Sequence, residues 1–361
     1  MERDWRVDTL RGYFLVAMTL GHFPNPLARY TEYTFGYASA PDGFVFLSGL
    51  VSAWVYLRVW QRRGHRAMVS KSLHRAGTIY LTHIALLLLS LAVAFVPGMG
   101  AHPVHSFRSF ISGALLWSSA GFDRILPMYC VFMALNPLVL NQFPKGRAWL
   151  VGIISAVLWT SAQFGLGDQP LGAYSFNPLA WQAYFVAGQY IGFRTLRSEG
   201  AVVGKSRILL AACFVIALPL MLDRHLLWLR GSDPLLGFSG HPDHNPIRFL
   251  DTACLAYIIF WIPRAADLVA AKLRFFQFLN LLGRHSLQVF AFSMIFTRFE
   301  AHTIKMLSPE IQLALTLATV LSLAVPAWLH QYFRQRRSDP HRNIFRGPAQ
   351  PPYAPTATAL R

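Results

Sequence analysis

The stretch Asp8-Thr-Leu-Arg-Gly-Tyr-Phe-Leu-Val-Ala-Met-Thr-Leu-Gly-His-Phe23 decides how the rest of the chain is read. Its apolar run predicts a membrane-spanning helix over 8–23, yet it holds two ionisable groups, Arg11 and His22. Eleven helical residues at about 100° each come within roughly 20° of three full turns, so both side chains share one face, about 16 Å apart along the axis. Ionisable groups in hydrocarbon are costly and by default face a polar path rather than lipid. The pattern points to chemistry inside a membrane protein.

The whole chain agrees with that class. At 54% hydrophobic and a mean hydropathy of +0.37, its 361 residues are too apolar for a soluble domain. Apolar runs separated by short polar loops predict ten spans, near 8–23, 43–60, 76–97, 124–140, 148–166, 179–193, 207–222, 249–264, 285–299 and 311–333. Runs this long exclude the alternating pattern of a barrel. The expected fold is therefore an all-α polytopic bundle, one domain over 1–333. A basic, then Pro-rich tail over 334–361 is expected to be disordered. The short amphipathic segment 107–121 reads as an outer-surface or re-entrant piece.

A net charge of +17 invites a nucleic-acid reading, but its distribution argues against one. With the N-terminus in the cytoplasm, 25 of the 33 Lys and Arg fall on inner loops and helix ends, including the dense Arg58, Arg62, Arg63, Arg66, Lys71, Arg75 connection. That asymmetry orients both termini to the cytoplasm and leaves no call for a nucleic-acid partner. Cys130, Cys213 and Cys254 fall within spans and read as packing residues. His102 with His105, and His241 with His244, read as solvated loop residues, and no metal is expected.

The candidate chemistry starts on the first helix. Asp8 lies three residues before Arg11, close enough on a helix to orient or partly neutralise it. His22 is the kind of group that takes a proton from a hydroxyl near neutral pH. The competing reading is that Arg11 snorkels to inner phosphates and His22 marks the outer interface. Asp42, Ser48, Asp123, Trp181, Gln182, Gln189, Arg248 and Asp251 lie towards the outer ends of other spans, where they are candidates to converge on one cavity. Trp181, Tyr129 and Trp228 are candidates to stack on sugar rings, with an interfacial aromatic belt as the alternative.

Asp8-x-Leu-Arg-Gly, His22 and Asp42-Gly-Phe-Val-Phe-Leu-Ser-Gly49 resemble the integral-membrane acyltransferase-3 superfamily. Within it the chain is similar to OpgC-type proteins, which are associated with succinylation of osmoregulated periplasmic glucans. Further matching stretches are Asp123-Arg-Ile-Leu-Pro-Met-Tyr129, Asn177-Pro-Leu-Ala-Trp-Gln182 with Gly188, Asn245-Pro-Ile-Arg-Phe-Leu250 and Leu282-Gly-Arg-His-Ser-Leu287. The superfamily's third helix opens with Arg-x-x-Arg. This chain departs from it with Lys71-Ser-Leu-His-Arg75, where Arg75 alone matches.

The resemblance implies an acyl-CoA-dependent O-acyltransferase of the bacterial inner membrane with no permanently bound cofactor. Acyl-CoA, with succinyl-CoA as the implied form, would be the co-substrate, and a periplasmic glucan or another envelope glycan the acceptor. His22 would be the catalytic base, with Arg11 and Asp8 beside it. Arg75 and Lys71 would hold the donor, and Asp42, Ser48, Asp123, Trp181 and Arg248 would bind or orient the acceptor. An acyl-histidine relay is an alternative to direct attack. A glycan or lipid transporter without chemistry remains the competing class.

Overall fold

A backbone in hydrocarbon has no water to bond, so its N–H and C=O groups must pair internally. The computed structural model of the protein does this with helices, and there is no strand among the described residues. Those residues are 4–31, 34–94, 107–116, 125–167, 177–197, 206–229, 246–261, 272–304 and 307–338. In chain order the helices are α1 (Trp5–Leu20), α2 (Ala28–Thr31), α3 (Ala40–Arg63), α4 (His65–Ala94), α5 (Phe107–Ala114), α6 (Leu126–Leu140) and α7 (Ala148–Gln163). They continue with α8 (Pro178–Arg197), α9 (Arg207–Leu229), α10 (Pro246–Trp261), α11 (Arg274–Arg284), α12 (Ser286–Thr303), α13 (Pro309–Ser322) and α14 (Ala324–Ser338).

Every predicted span falls on a helix. Four stretches are long and apolar enough to cross a membrane by length and composition: Ala40–Arg63, His65–Val93, Arg207–Leu226 and Pro309–Arg336. The 16 residues of α1, of α7 and of α10 reach only about 24 Å each, against roughly 30 Å of hydrocarbon.

Several local features refine the expected layout. The basic connection from Arg58 to Arg75 is not a loop: α3 runs to Arg63, α4 starts at His65, and Gly64 alone joins them. Gly64 turns the chain at φ +83°, a left-handed conformation in which glycine meets no Cβ penalty. The basic side chains therefore project from two abutting helix ends.

The first helix stops at Leu20, short of the expected Phe23. Gly21 and Pro24 favour termination, and the Asn25 amide finishes it by donating to Leu20 O at 2.7 Å and Phe23 O at 2.8 Å. The last predicted span breaks at Leu323, because Pro326 has no N–H for Ser322 O and its ring crowds that carbonyl. Beyond the break α14 continues to Ser338, so the start of the expected tail is helical, while 339–361 lies outside the described residues. Finally, α5 has eight residues, too few to cross, and docks on α4. Tyr80 Oη donates to Ala114 O at 3.0 Å, and buried His83 bonds Gly113 O through Nε2 at 3.1 Å.

Between apolar helices in lipid there is little hydrophobic drive, so close backbone approach and polar bonds must hold them together. Both devices are present. A Cβ at Gly49 would lie 2.0 Å from Phe185 O, and one at Gly188 would lie 2.0 Å from Phe46 O, so α3 and α8 cross in near backbone contact. In the same way α1 and α11 touch at Gly12 and Gly283, where a Cβ would stand 1.8 Å from Leu279 O and Asp8 O respectively.

A buried amide then ties four helices. Asn136 Oδ1 on α6 accepts from Ser52 of α3 at 3.1 Å and from Gln189 of α8 at 2.7 Å, and its Nδ2 donates to Ser72 of α4 at 2.9 Å. Gln182, for its part, bonds Ser155 on α7 at 2.8 Å. Both glutamines are thus interhelical ties.

Candidate active site

The sequence-selected side chains gather in two places, and His22 stands apart from both. The first place is a cavity of about 250 Å³ between α1, α3, α4, α6 and α12. Arg11, Ser48 and Arg75 line it together with Tyr56, Tyr129 and Ser286. Arg11 donates to Ser286 Oγ at 2.6 Å and lies 5.4 Å from the centre of the Phe44 ring, a cation–π distance. Asp8 is buried beneath it, and its carboxylate pairs at 3.9 Å with Arg284 at the end of α11.

The stretch Leu282–Leu287 explains itself here. Gly283 lets α11 touch the Asp8 backbone, Arg284 reaches the Asp8 carboxylate, and Ser286 meets Arg11. Sequence reading marked this stretch as similar to a family but gave its residues no role. Nothing local indicates that Ser286 faces a side chain 275 positions away.

The hydrogen-bond inventory of this cavity is one-sided. Among the described residues Arg75 has neither a hydrogen bond nor an ion pair, and no carboxylate lines the walls. Ser48 Oγ accepts from Tyr129 Oη at 3.2 Å and Ser286 Oγ accepts from Arg11, which leaves each serine hydroxyl able to donate as well. The Tyr56 hydroxyl, in electrostatic reach of Arg75, also lines the cavity. The walls therefore offer two guanidinium groups and several O–H donors, with apolar side chains between them. Such a lining is complementary to an anion or to carbonyl oxygens.

The second place is at the start of α3 and α10. Arg248 holds Asp42 with two bonds, Nε to Oδ2 at 2.7 Å and an Nη2 contact to Oδ1 at 3.0 Å, and also donates to Ser39 Oγ. Asp42 is fully buried and reaches back to Ser39 N at 2.8 Å, the N3-to-cap half of a capping box. Trp181 is 1% exposed and lies under the Arg248 guanidinium at 5.9 Å. A ring this buried is not open to stack on a sugar, so Trp181 and Asp42 support Arg248, which keeps 19% of its side-chain surface.

Asp42→Ala is expected to destabilise the protein by about 3–5 kcal/mol, because it leaves a largely buried arginine without its carboxylate. Asp42→Ala combined with Arg248→Met should recover much of that loss in detergent-solubilised unfolding. Additive losses would show that the pair is not coupled.

His22 is in the exposed turn after α1. Its Nδ1 contacts Met18 O; since a carbonyl only accepts, Nδ1 carries the proton and Nε2 is the basic nitrogen. The single-face geometry inferred from a continuous helix ends at Leu20. Lys71 is exposed on α4 and does not line the Arg11 cavity. Asp123, His102, His105, His241 and His244 lie outside the described residues, as does the side chain of Trp228.

Four helices long and apolar enough to cross a membrane, in an all-helical fold among the described residues, define the class as a helical membrane protein. The chain belongs to the OpgC protein family, whose model matches residues 3–335. That membership makes it a transferase-type enzyme. No curated protein and no solved structure matches the chain.

Proposed function

We propose that the protein is a glucan-modifying membrane O-acyltransferase, moving an acyl group, succinyl in our reading, from cytoplasmic acyl-CoA to a hydroxyl of a periplasmic glucan. The observation that carries this reading is the meeting of two guanidinium groups, Arg11 and Arg75, with hydroxyls in one cavity. Acyl-CoA offers the matching chemistry, with phosphates and a chain of carbonyl oxygens. In this reading ten spans cross the bacterial inner membrane with both termini in the cytoplasm, as the Lys/Arg distribution favours.

The abutting ends of α3 and α4, with Lys71 and the arginines from Arg58 to Arg66, meet the nucleotide at the inner face. Arg75 and Arg11 receive the arm that enters the cavity. On the outer side Arg248, held by Asp42 and Trp181, binds the acceptor. Ser48 belongs to the donor cavity rather than to the acceptor group. His22 Nε2 takes the proton of the acceptor hydroxyl as its oxygen attacks the thioester carbonyl. The C–S bond breaks, the imidazolium returns the proton to the leaving thiolate, and an ester and free CoA result.

Mass spectrometry of periplasmic glycans from a deletion strain tests the acceptor. The expected result is loss of acyl substituents from the glucan, restored by the intact gene. An unchanged glucan profile contradicts the assignment.

A further inference from the structure

A second and larger cavity, about 490 Å³, lies between α1, α3, α9 and α10, and Arg11 is not among its walls. Its volume falls within the range of ligand sites. Leu10 and Phe14 of α1, Phe46 of α3, Phe214 and Leu218 of α9, and Ile259 of α10 are among its walls.

The way α9 and α10 are attached explains the gap. They pack chiefly on each other, and α10 meets α3. Polar clamps hold the pair at one end. Buried Asp251 accepts from Tyr37 N at 2.8 Å and Ala38 N at 2.9 Å, and Tyr37 Oη donates to Asp223 at 2.6 Å. His225 bonds Thr34 O at 3.2 Å, and Arg248 grips Asp42 at the same end. Gly36 fits here only as glycine, at φ +117° and with a Cβ position 2.8 Å from Asp251 Oδ2. Away from these clamps the apolar cavity lies between the α9–α10 pair and the α1–α3 pair, with Phe46 of α3 meeting Phe260 of α10 at a ring-centroid distance of 6.3 Å.

The gap opens onto the outside of the bundle. Phe214 and Leu218 line it and are each 50% exposed, and neighbouring Val215 is 72% exposed. In a bilayer that surface faces hydrocarbon, so the cavity is continuous with lipid. An apolar space cannot satisfy water, and the two amides of a pantetheine arm would be left without partners along most of its walls.

We infer that this cavity is a lipid site: one acyl chain of a membrane phospholipid enters beside α9 and wedges between the α9–α10 pair and α1–α3. The inference is independent of the acyl-transfer reading.

The test uses the full-length protein in phosphatidylethanolamine–phosphatidylglycerol nanodiscs doped with a phospholipid carrying a diazirine in one acyl chain. After irradiation, label is expected on peptides spanning 214–221 and 252–260, several-fold above the exposed face of α7 at Ile153 and Val157. Ala256→Trp fills the cavity, and Leu218→Trp blocks its half-exposed mouth without requiring core repacking. Each should remove most of the label from those peptides and leave the α7 label unchanged. Uniform labelling of all apolar faces, or labelling that survives both variants, overturns the site. Displacement of the label by acyl-CoA would assign the cavity to the donor and also overturn it.

Discussion

Replacing His22 with alanine or glutamine is expected to lower acyl transfer by about 10²- to 10⁴-fold, the contribution of a positioned general base. The protein should remain folded, because His22 is exposed in the turn after α1. The split between activity and folding separates this role from an interfacial one. A histidine that only marks the membrane boundary would leave the rate close to normal. Initial rates with acyl-CoA and oligoglucan, together with thermal melting of the same preparations, check both halves. If transfer runs through an acyl-histidine, intact protein given donor without acceptor should carry the acyl group on the peptide containing His22. Direct attack leaves that peptide unmodified.

Gly283→Val is expected to cost more than 4–5 kcal/mol and to remove folded protein from the membrane fraction, in the range reached only when core geometry is broken. The first side-chain carbon would stand 1.8 Å from Asp8 O, a backbone atom that no rotamer change can move. Separating α1 from α11 would also pull Arg284 from Asp8 and Ser286 from Arg11. Gly12→Val meets Leu279 O at the same 1.8 Å and should fail in the same way. Gly77→Ala on α4 is the contrasting case, with nothing within 4 Å of its Cβ position. There alanine should be neutral or stabilising by up to about 1 kcal/mol, its advantage over glycine inside a helix. Fluorescence-detected size-exclusion profiles of tagged variants distinguish the two outcomes.

Helical class, and the helices on which the apolar runs fall, follow from hydrophobic run length, a local property. Arg11, Ser48 and Arg75 were selected individually, and the structure brings them to one cavity. Asp42, Trp181 and Arg248 were also selected, and they meet at a second place.

What escaped reading depended on contacts between distant segments or on a single side chain overruling a pattern. Asn25 ends α1 by taking its last carbonyls, so His22 leaves the helix that periodicity placed it on. Gly64 converts an apparent basic loop into a helical hairpin through one positive φ. Ser286 and Arg284 acquire their roles from partners on α1, and Gln189 from Asn136, which a one-dimensional pattern does not encode. Trp181 read either as an interfacial belt residue or as a platform for a sugar ring, because its place near a helix end suits both. Burial under Arg248 gives it a supporting place instead.

The most direct measurement is single-component transfer with purified protein in nanodiscs, supplied with acyl-CoA and unmodified oligoglucan. Acyl transfer predicts acylated glucan and free CoA in equal amounts, both lost in the His22→Ala protein. Transbilayer movement of glycan or lipid by the same protein in sealed vesicles, with no ester formed and no CoA released, would contradict it.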